Sequence, residues 1–214
     1  QLLRLRARKV SYFCCQKFHF HLRRNRDIDM KNLNLIIFLV DVSVLYLLLL
    51  GIIWSIAFSS KRVWPPPEKQ SWQYKLTWIC FYLVFLLNAL LIVLDWNSWI
   101  ADDPTRLFVG IPVTLVGALL VTWGFSRLGS RNTSGLQDKF VNSGPYCFTR
   151  NPQYLGDIIM FVGLSIIANS LFLWITHALL ILVFLITPFS EEVWLEKRYG
   201  DEYLNYKNTT PRFL

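Results

Sequence analysis

The stretch LNLIIFLVDVSVLYLLLLGIIWSIAF, residues 33–58, decides the fold, because Asp41 is its only charged residue. About 20 such residues cross the hydrocarbon core of a bilayer as an α-helix. Four further apolar runs follow, at 74–94, 106–125, 155–170 and 171–189. The sequence therefore predicts an all-α fold: a polytopic membrane helix bundle of about five transmembrane helices, followed by a C-terminal amphipathic helix.

The composition agrees with a membrane protein and excludes a separate soluble domain. Hydrophobic residues make up 54% of the 214 residues and charged residues 17%, whereas about 25% is usual for soluble domains. We expect three parts: an N-terminal arm at 1–29, three transmembrane helices within 30–125, and a functional region with a helical hairpin and tail at 126–214.

The arm at 1–29 is basic and precedes the first methionine, Met30. One interpretation is an arm that binds anionic lipid or nucleic acid, and a transit peptide is another. A third is upstream sequence translated in front of a start at Met30. The arm supplies most of the net charge of +8, so this charge does not predict nucleic-acid binding. Its cations are Arg4, Arg6, Arg8, Lys9, Lys17, Arg23, Arg24 and Arg26.

The distribution of Lys and Arg predicts the orientation. With five spans, the loops at 59–73 and 126–153 and the tail from residue 190 share one side of the membrane. From Met30 onward, that side holds nearly all of the Lys and Arg residues. Because cytoplasmic loops are enriched in these residues, we expect the loops and the tail to be cytoplasmic.

Polar residues gather in one motif, GPYCFTRNPQYLG at 144–156. Arg150 and Asn151 come directly before Pro152, which is well tolerated in the first turn of a helix. A cation, an amide and the partly positive end of a helix together favour a carboxylate or a phosphate. Tyr154 follows one turn later, where its hydroxyl can form a hydrogen bond or its ring can face a cation.

A second polar cluster opens the tail with Glu191 and Glu192. A helix from this point would carry an inward stripe of one carboxylate and several apolar or aromatic residues, with Glu196, Lys197 and Glu202 in solvent. A structural alternative is a pair of capping acids on an interfacial helix. The expected stripe is Glu192, Leu195, Tyr199, Tyr203 and Tyr206.

Three other features have structural interpretations. Gly110, Gly117 and Gly124 recur every seven residues, as do Gly156 and Gly163, which predicts close packing of two helices. The loop at 59–75 has three prolines between Trp64 and Trp72 and predicts a stiff anchor in the headgroup zone, with a substrate lip as the alternative. Asp41 and Asn88 lie inside spans and are candidates for function or for helix pairing.

The order of these motifs resembles the integral-membrane methyltransferases that use S-adenosylmethionine. These include isoprenylcysteine carboxyl methyltransferases and phospholipid methyltransferases. The resemblance covers about 126–214: Leu128-Gly129, then 144–156, then Glu191-Glu192, and finally Tyr199-Gly-Asp-Glu-Tyr203. The family usually has Arg-His-Pro where this sequence has Arg150-Asn151-Pro152, which puts in doubt any acid or base step that uses the histidine.

The resemblance implies S-adenosylmethionine as cofactor, with Arg150 and the helix start near its carboxylate and Glu191 or Glu192 near its ammonium group. Tyr146 and Tyr154 suit the sulfonium or the adenine, and Arg150 and Tyr154 are the expected catalytic residues. The acceptor would be a prenylcysteine carboxylate or a phospholipid amine, with no metal involved. The expected cofactor-binding residues are Gly144, Tyr146, Arg150, Asn151, Pro152, Tyr154, Glu191, Glu192 and Tyr199.

Two alternatives remain open from the sequence. Leu155-Gly156-Asp157 and Thr210-Pro211-Arg212 also echo the C-terminal part of NADPH-dependent sterol reductases, which are about twice as long. A membrane protein without catalytic activity is the third possibility. The oligomeric state is not predicted.

Overall fold

A computed structural model describes residues 2–100 and 103–213, with side chains from residue 30 onward except at 101–102. The side chains of the predicted basic arm, 1–29, therefore lie outside the description. All the regular structure in the described part is helical, which confirms the all-α prediction. The helices are α1 (Leu2–Ala57), α2 (Trp72–Leu94), α3 (Arg106–Thr133), α4 (Pro152–Ala168), α5 (Leu171–Tyr199) and α6 (Asp201–Thr209).

Four helices in the described residues are long and apolar enough to cross a membrane, where about five were expected. They are Met30–Ala57 within α1, and α2, α3 and α5. The predicted span at 155–170 corresponds to α4, which has 17 residues and is about 25 Å long, shorter than the usual 30 Å of hydrocarbon. Helix α4 is short because Pro152 begins it and Asn169, in the left-handed conformation with φ 47°, ends it.

The prediction that a separate tail helix begins at residue 190 is wrong about where that helix begins. Helix α5 continues without interruption from the membrane to Tyr199, and Gly200, with φ 54°, separates it from α6. The expected stripe is therefore divided between two helices. The first residue of the stripe, Glu192, and its last two, Tyr203 and Tyr206, are nevertheless buried as expected.

Helices α3 and α4 form the closest pair in the bundle, as the glycine repeats predicted. A Cβ atom on Gly117 would lie 2.6 Å from the carbonyl oxygen of Gly156, and a Cβ atom on Gly156 would lie 2.7 Å from the backbone nitrogen of Val121. Only glycine allows the two backbones to approach this closely. This contact fixes the position of the start of α4.

Helices α1, α2 and α5 are joined by hydrogen bonds inside the bundle. The Asn88 side chain donates to Asp41 Oδ2 at 2.8 Å, and the Thr176 hydroxyl donates to Asn88 Oδ1 at 2.9 Å. Leu45, Leu180 and neighbouring apolar residues pack around them. The contacts of Asp41 and Asn88 thus agree with the helix-pairing interpretation.

The two ends of the bundle differ in what they carry. At one end, the Ser170 hydroxyl donates to Asp95 Oδ2, and the Asn97 amide donates to the carbonyl of Ala168. At the other end, the loop after α1, the segment 134–151 and helix α6 meet each other. The predicted association of the motif loop with the tail is observed there, because the Arg150 amide donates to the carbonyl of Pro211 at 2.9 Å.

Candidate functional site

A cavity of about 250 Å³ lies at the end of the bundle where the loops and α6 meet. Its walls come from the loop after α1, the first turns of α2 and α4, the segment 128–146, the last turns of α5, and α6. The half near the loops is polar and aromatic. The half that reaches between the helices is apolar. A ligand with a charged end and an apolar end would match this division.

Arg150 is the central cation of the polar half. Only 9% of its side chain is exposed, and its Nη2 lies 3.3 Å from Glu192 Oε1. Its Nε and Nη1 atoms are buried without a hydrogen-bond partner in the described part of the chain. Because an unsatisfied buried donor on a charged group is costly, this guanidinium is suited to an anionic ligand in the cavity.

Glu192 holds the surrounding cations in place. Arg212 donates to both of its carboxylate oxygens, from Nε at 2.6 Å and from Nη2 at 2.9 Å. Lys207 Nζ lies 3.6 Å away, in addition to the contact with Arg150. These contacts neutralise Glu192, which therefore organises the site and has little charge left for a further ligand.

Glu191 has a different environment. Its Oε1 accepts hydrogen bonds from the Trp64 indole at 2.7 Å and from the Tyr154 hydroxyl at 2.6 Å. No Lys or Arg among the described side chains forms an ion pair with it. Because a carboxylate in a closed site favours a cation as partner, Glu191 can receive a positively charged group of a ligand.

An aromatic cluster closes the outer side of the cavity. The ring of Phe140 lies 5.1 Å from the ring of Tyr199 and 5.5 Å from that of Tyr206, measured between centroids. The Tyr206 hydroxyl donates to the carbonyl of Tyr146 at 2.6 Å. Burial raises the pKa of Tyr146 and of Tyr206 above the usual range for tyrosine, so both hydroxyls stay protonated. Flat aromatic faces of this kind suit a planar ring such as adenine.

The apolar half of the cavity faces the membrane. Trp78, Phe81 and Phe85 of α2 line it on one side, and Phe184 and Pro188 of α5 line it on the other. Between α2 and α4 the contact is made by side chains, since the rings of Phe85 and Phe161 lie 5.9 Å apart, measured between centroids.

Seven of the nine residues predicted to bind cofactor line this cavity: Tyr146, Arg150, Asn151, Tyr154, Glu191, Glu192 and Tyr199. Gly144 and Pro152 lie outside the lining and have structural roles. Gly144 has φ 65°, and a Cβ on it would lie 2.9 Å from the Arg127 side chain. Pro152 is buried at the first position of α4.

Asn151, the residue that replaces the family histidine, holds the tail. Its side-chain amide donates to the carbonyl of Arg212 at 3.0 Å. The Thr149 hydroxyl donates to the same carbonyl at 3.1 Å. Asn151 therefore holds the end of the tail against the motif loop. This contact needs a hydrogen-bond donor and no proton transfer.

The sequence interpretation missed several lining residues. Trp64 was expected first as a headgroup anchor, with a substrate lip as the alternative for its loop, and it lines the cavity, is 5% exposed and donates to Glu191. Phe140 approaches the motif only through tertiary contacts, and Arg212, which contacts Glu192 from outside the lining, was noted only in the reductase-like motif. Asp157 was noted only as part of another family's motif. For Trp64 a signal was available, because its loop was already expected on the same side of the membrane as the motif.

Comparison with known proteins agrees with this arrangement. Residues 105–202, which include most of the polar half, match the family model described as phospholipid methyltransferase. The chain is also similar to phosphatidylethanolamine N-methyltransferase B of Dictyostelium discoideum, with 28% identity over 152 residues, 61% of this chain and 75% of that relative. No solved structure matches the chain. These findings confirm the resemblance: over residues 105–202 the chain is similar to the phospholipid methyltransferases.

Proposed function

We propose that the protein transfers a methyl group from S-adenosylmethionine to the headgroup of a membrane phospholipid. The observation that carries the proposal is the cavity that unites an unsatisfied guanidinium, Arg150, with an unneutralised carboxylate, Glu191. Both residues lie within 105–202, the region that matches the phospholipid methyltransferase family model. The named relative is a phosphatidylethanolamine N-methyltransferase, which supports a phospholipid in preference to a prenylcysteine acceptor.

The polar half of the cavity fits the charges of this donor. Arg150 Nε and Nη1 would hold its carboxylate, and Glu191 would hold its ammonium group. Glu192, Arg212 and the tail keep Arg150 in position. When bound, the donor supplies an activated methyl group on a sulfonium. The protein therefore has to align the acceptor and exclude water.

Tyr154 lies at the boundary between the two halves. Its hydroxyl donates to Glu191, and its ring is stacked on Phe184 with centroids 5.8 Å apart. An electron-rich ring at this position can face a cation. In the proposal, Tyr154 lies closest to the reacting groups, and the phospholipid occupies the apolar half of the cavity.

The charge distribution supports a cytoplasmic location for the site. The loops and the tail that form the polar half carry nearly all Lys and Arg residues from Met30 onward, and such loops are usually cytoplasmic. A water-soluble donor would then reach the cavity from the cytoplasm, while the lipid acceptor arrives from the bilayer.

Isothermal titration tests the proposal. Detergent-purified protein is titrated with S-adenosylhomocysteine and, separately, with NADPH. We expect saturable binding of S-adenosylhomocysteine only, together with transfer of labelled methyl groups to phosphatidylethanolamine in mixed micelles. Binding of NADPH alone would replace the proposal with a reductase function. Binding of neither compound would favour a membrane protein without catalytic activity.

A further inference from the structure

Asp157 is a carboxylate in the cavity that the proposed donor site does not use. It lies one turn beyond Tyr154 on α4 and lines the same cavity. It lies about 7.5 Å along the helix from Pro152, which is further than any other residue of α4 that lines the cavity. No hydrogen bond or ion pair is formed by Asp157 with any other side chain that the structure describes.

Asp157 shares the cavity with several aromatic residues. Trp78 and Phe81 of α2 and Phe184 of α5 also line it, and the Trp78 indole nitrogen is buried without a partner in the described part of the chain. A buried carboxylate is costly unless a cation accompanies it. No described Lys or Arg side chain forms an ion pair with Asp157, so a positively charged group of a ligand would stabilise its ionised form.

We propose that Asp157 binds the protonated amine of the phospholipid headgroup and accepts its proton. The inference rests on the proposed function and adds to it the residue that binds and deprotonates the acceptor. A carboxylate acceptor, such as prenylcysteine, would be repelled by the Asp157 carboxylate. The aromatic walls suit the same ammonium after methylation, because cation–π attraction does not require N–H donors.

The proton and electron balance of the step is complete. The ammonium gives one proton to the Asp157 carboxylate and leaves a neutral amine with a free electron pair. That pair forms the new N–CH₃ bond while the S–CH₃ bond breaks, and its electrons stay on sulfur as a neutral thioether. The product is a methylated ammonium. Asp157 then loses its proton to water when the product leaves.

A binding experiment without methyl transfer tests the inference. Short-chain phosphatidylethanolamine and its N-acetyl derivative share the phosphate, but only the first carries a positive charge. We expect the wild-type protein to bind the amine lipid at least about tenfold more tightly. In Asp157→Asn this preference should disappear, and the methyl-transfer rate should fall by about 100-fold.

Three matched variants isolate the effect. Asp157→Glu keeps the charge and should keep the preference for the amine lipid. Glu191→Gln should weaken binding of S-adenosylhomocysteine and retain the preference. Asp201→Asn changes an exposed carboxylate of α6 and should change nothing. Binding of S-adenosylhomocysteine to Asp157→Asn shows that this variant is folded.

Two results would overturn the inference while leaving the proposed function intact. One is a wild-type protein that binds S-adenosylhomocysteine but does not distinguish the two lipids. The other is an Asp157→Asn variant that binds S-adenosylhomocysteine and keeps the full preference. If the wild-type protein does not bind S-adenosylhomocysteine, the proposed function itself fails. The wild-type comparison decides the question even where Asp157→Asn does not fold.

Discussion

Arg150 is a residue whose charge and shape can be tested separately. Arg150→Lys keeps the positive charge and removes the planar fork that can hold a carboxylate through two hydrogen bonds. Loss of one charge-assisted hydrogen bond costs about 1.5–3 kcal/mol. We expect the dissociation constant of S-adenosylhomocysteine, measured by titration calorimetry, to rise by roughly 10- to 100-fold.

The control for Arg150 is Arg198→Lys, which changes an exposed arginine outside the cavity and should leave the affinity unchanged. An unchanged affinity in Arg150→Lys, with the protein correctly inserted, would mean that Arg150 only contributes to membrane orientation. The anion site would then have to be sought elsewhere in the cavity.

Glu192 and Glu196 lie one turn apart and differ in burial. The Glu192 side chain is 8% exposed and contacts three cations, whereas that of Glu196 is 34% exposed and contacts Lys207. Removal of one partner from a buried network costs about 3–5 kcal/mol, and an exposed pair contributes about 0–1 kcal/mol. We expect Glu192→Gln, and not Glu196→Gln, to weaken binding of S-adenosylhomocysteine and to lower the unfolding temperature in detergent. Equal effects would remove Glu192 from its central position.

The predictability of the site from sequence differs from residue to residue. Arg150 and Glu191 could be identified because the few polar residues of this sequence gather in two clusters, at 144–156 and from residue 190. Their distinct roles could not, since Glu191 and Glu192 are adjacent and only the structure shows which one the Arg212 side chain neutralises. The hydrogen bond from Trp64 to Glu191 could not be predicted, because the two residues are 127 positions apart in the sequence.

At the scale of the helices, the contact of α3 with α4 positions the motif. Gly156→Ala would place a Cβ 2.7 Å from the backbone nitrogen of Val121, and a backbone atom cannot move aside as a flexible side chain can. Overpacking of this kind costs about 1–3 kcal/mol. We expect a lower unfolding temperature in detergent, together with weaker binding of S-adenosylhomocysteine because the start of α4 shifts.

Gly51→Ala is the control for this contact. The nearest atom to its new Cβ would be Val63 Cγ1, at 3.7 Å, which is ordinary van der Waals contact. We expect no loss of stability, since alanine is the better helix former. If both variants were equally stable, the close approach of α3 and α4 would not be required for the fold.

The helices also show which patterns a sequence reveals. The seven-residue repeat of Gly117 and its neighbours predicted the α3–α4 contact, because the period itself places these residues on one face. The length of α5 was not predicted. Glu191 and Glu192 resemble the capping acids of a new helix, while the actual end depends on the backbone conformation of Gly200.

For the whole molecule, the arrangement predicts that the motif loop and α6 share one side of the membrane. Single cysteines at the exposed positions Gln137 and Asn205, in a protein without its native cysteines, should react with an impermeant maleimide from the same side. Ile100, 79% exposed near the opposite end, should react only from the other side when changed to cysteine. Labelling of Gln137→Cys and Asn205→Cys from opposite sides would contradict the fold.

The position of the cavity at one end of the bundle has a consequence for the bilayer itself. Its polar half lies at the end where α1 and α3 finish and α2 and α4 begin, so in the proposed function it would serve headgroups of only one leaflet. Substrate and product would exchange laterally within that monolayer. Each turnover would then replace a small, cone-shaped lipid by a bulkier, more cylindrical one in a single leaflet, and the resulting difference in area would favour curvature until lipids cross to the other side.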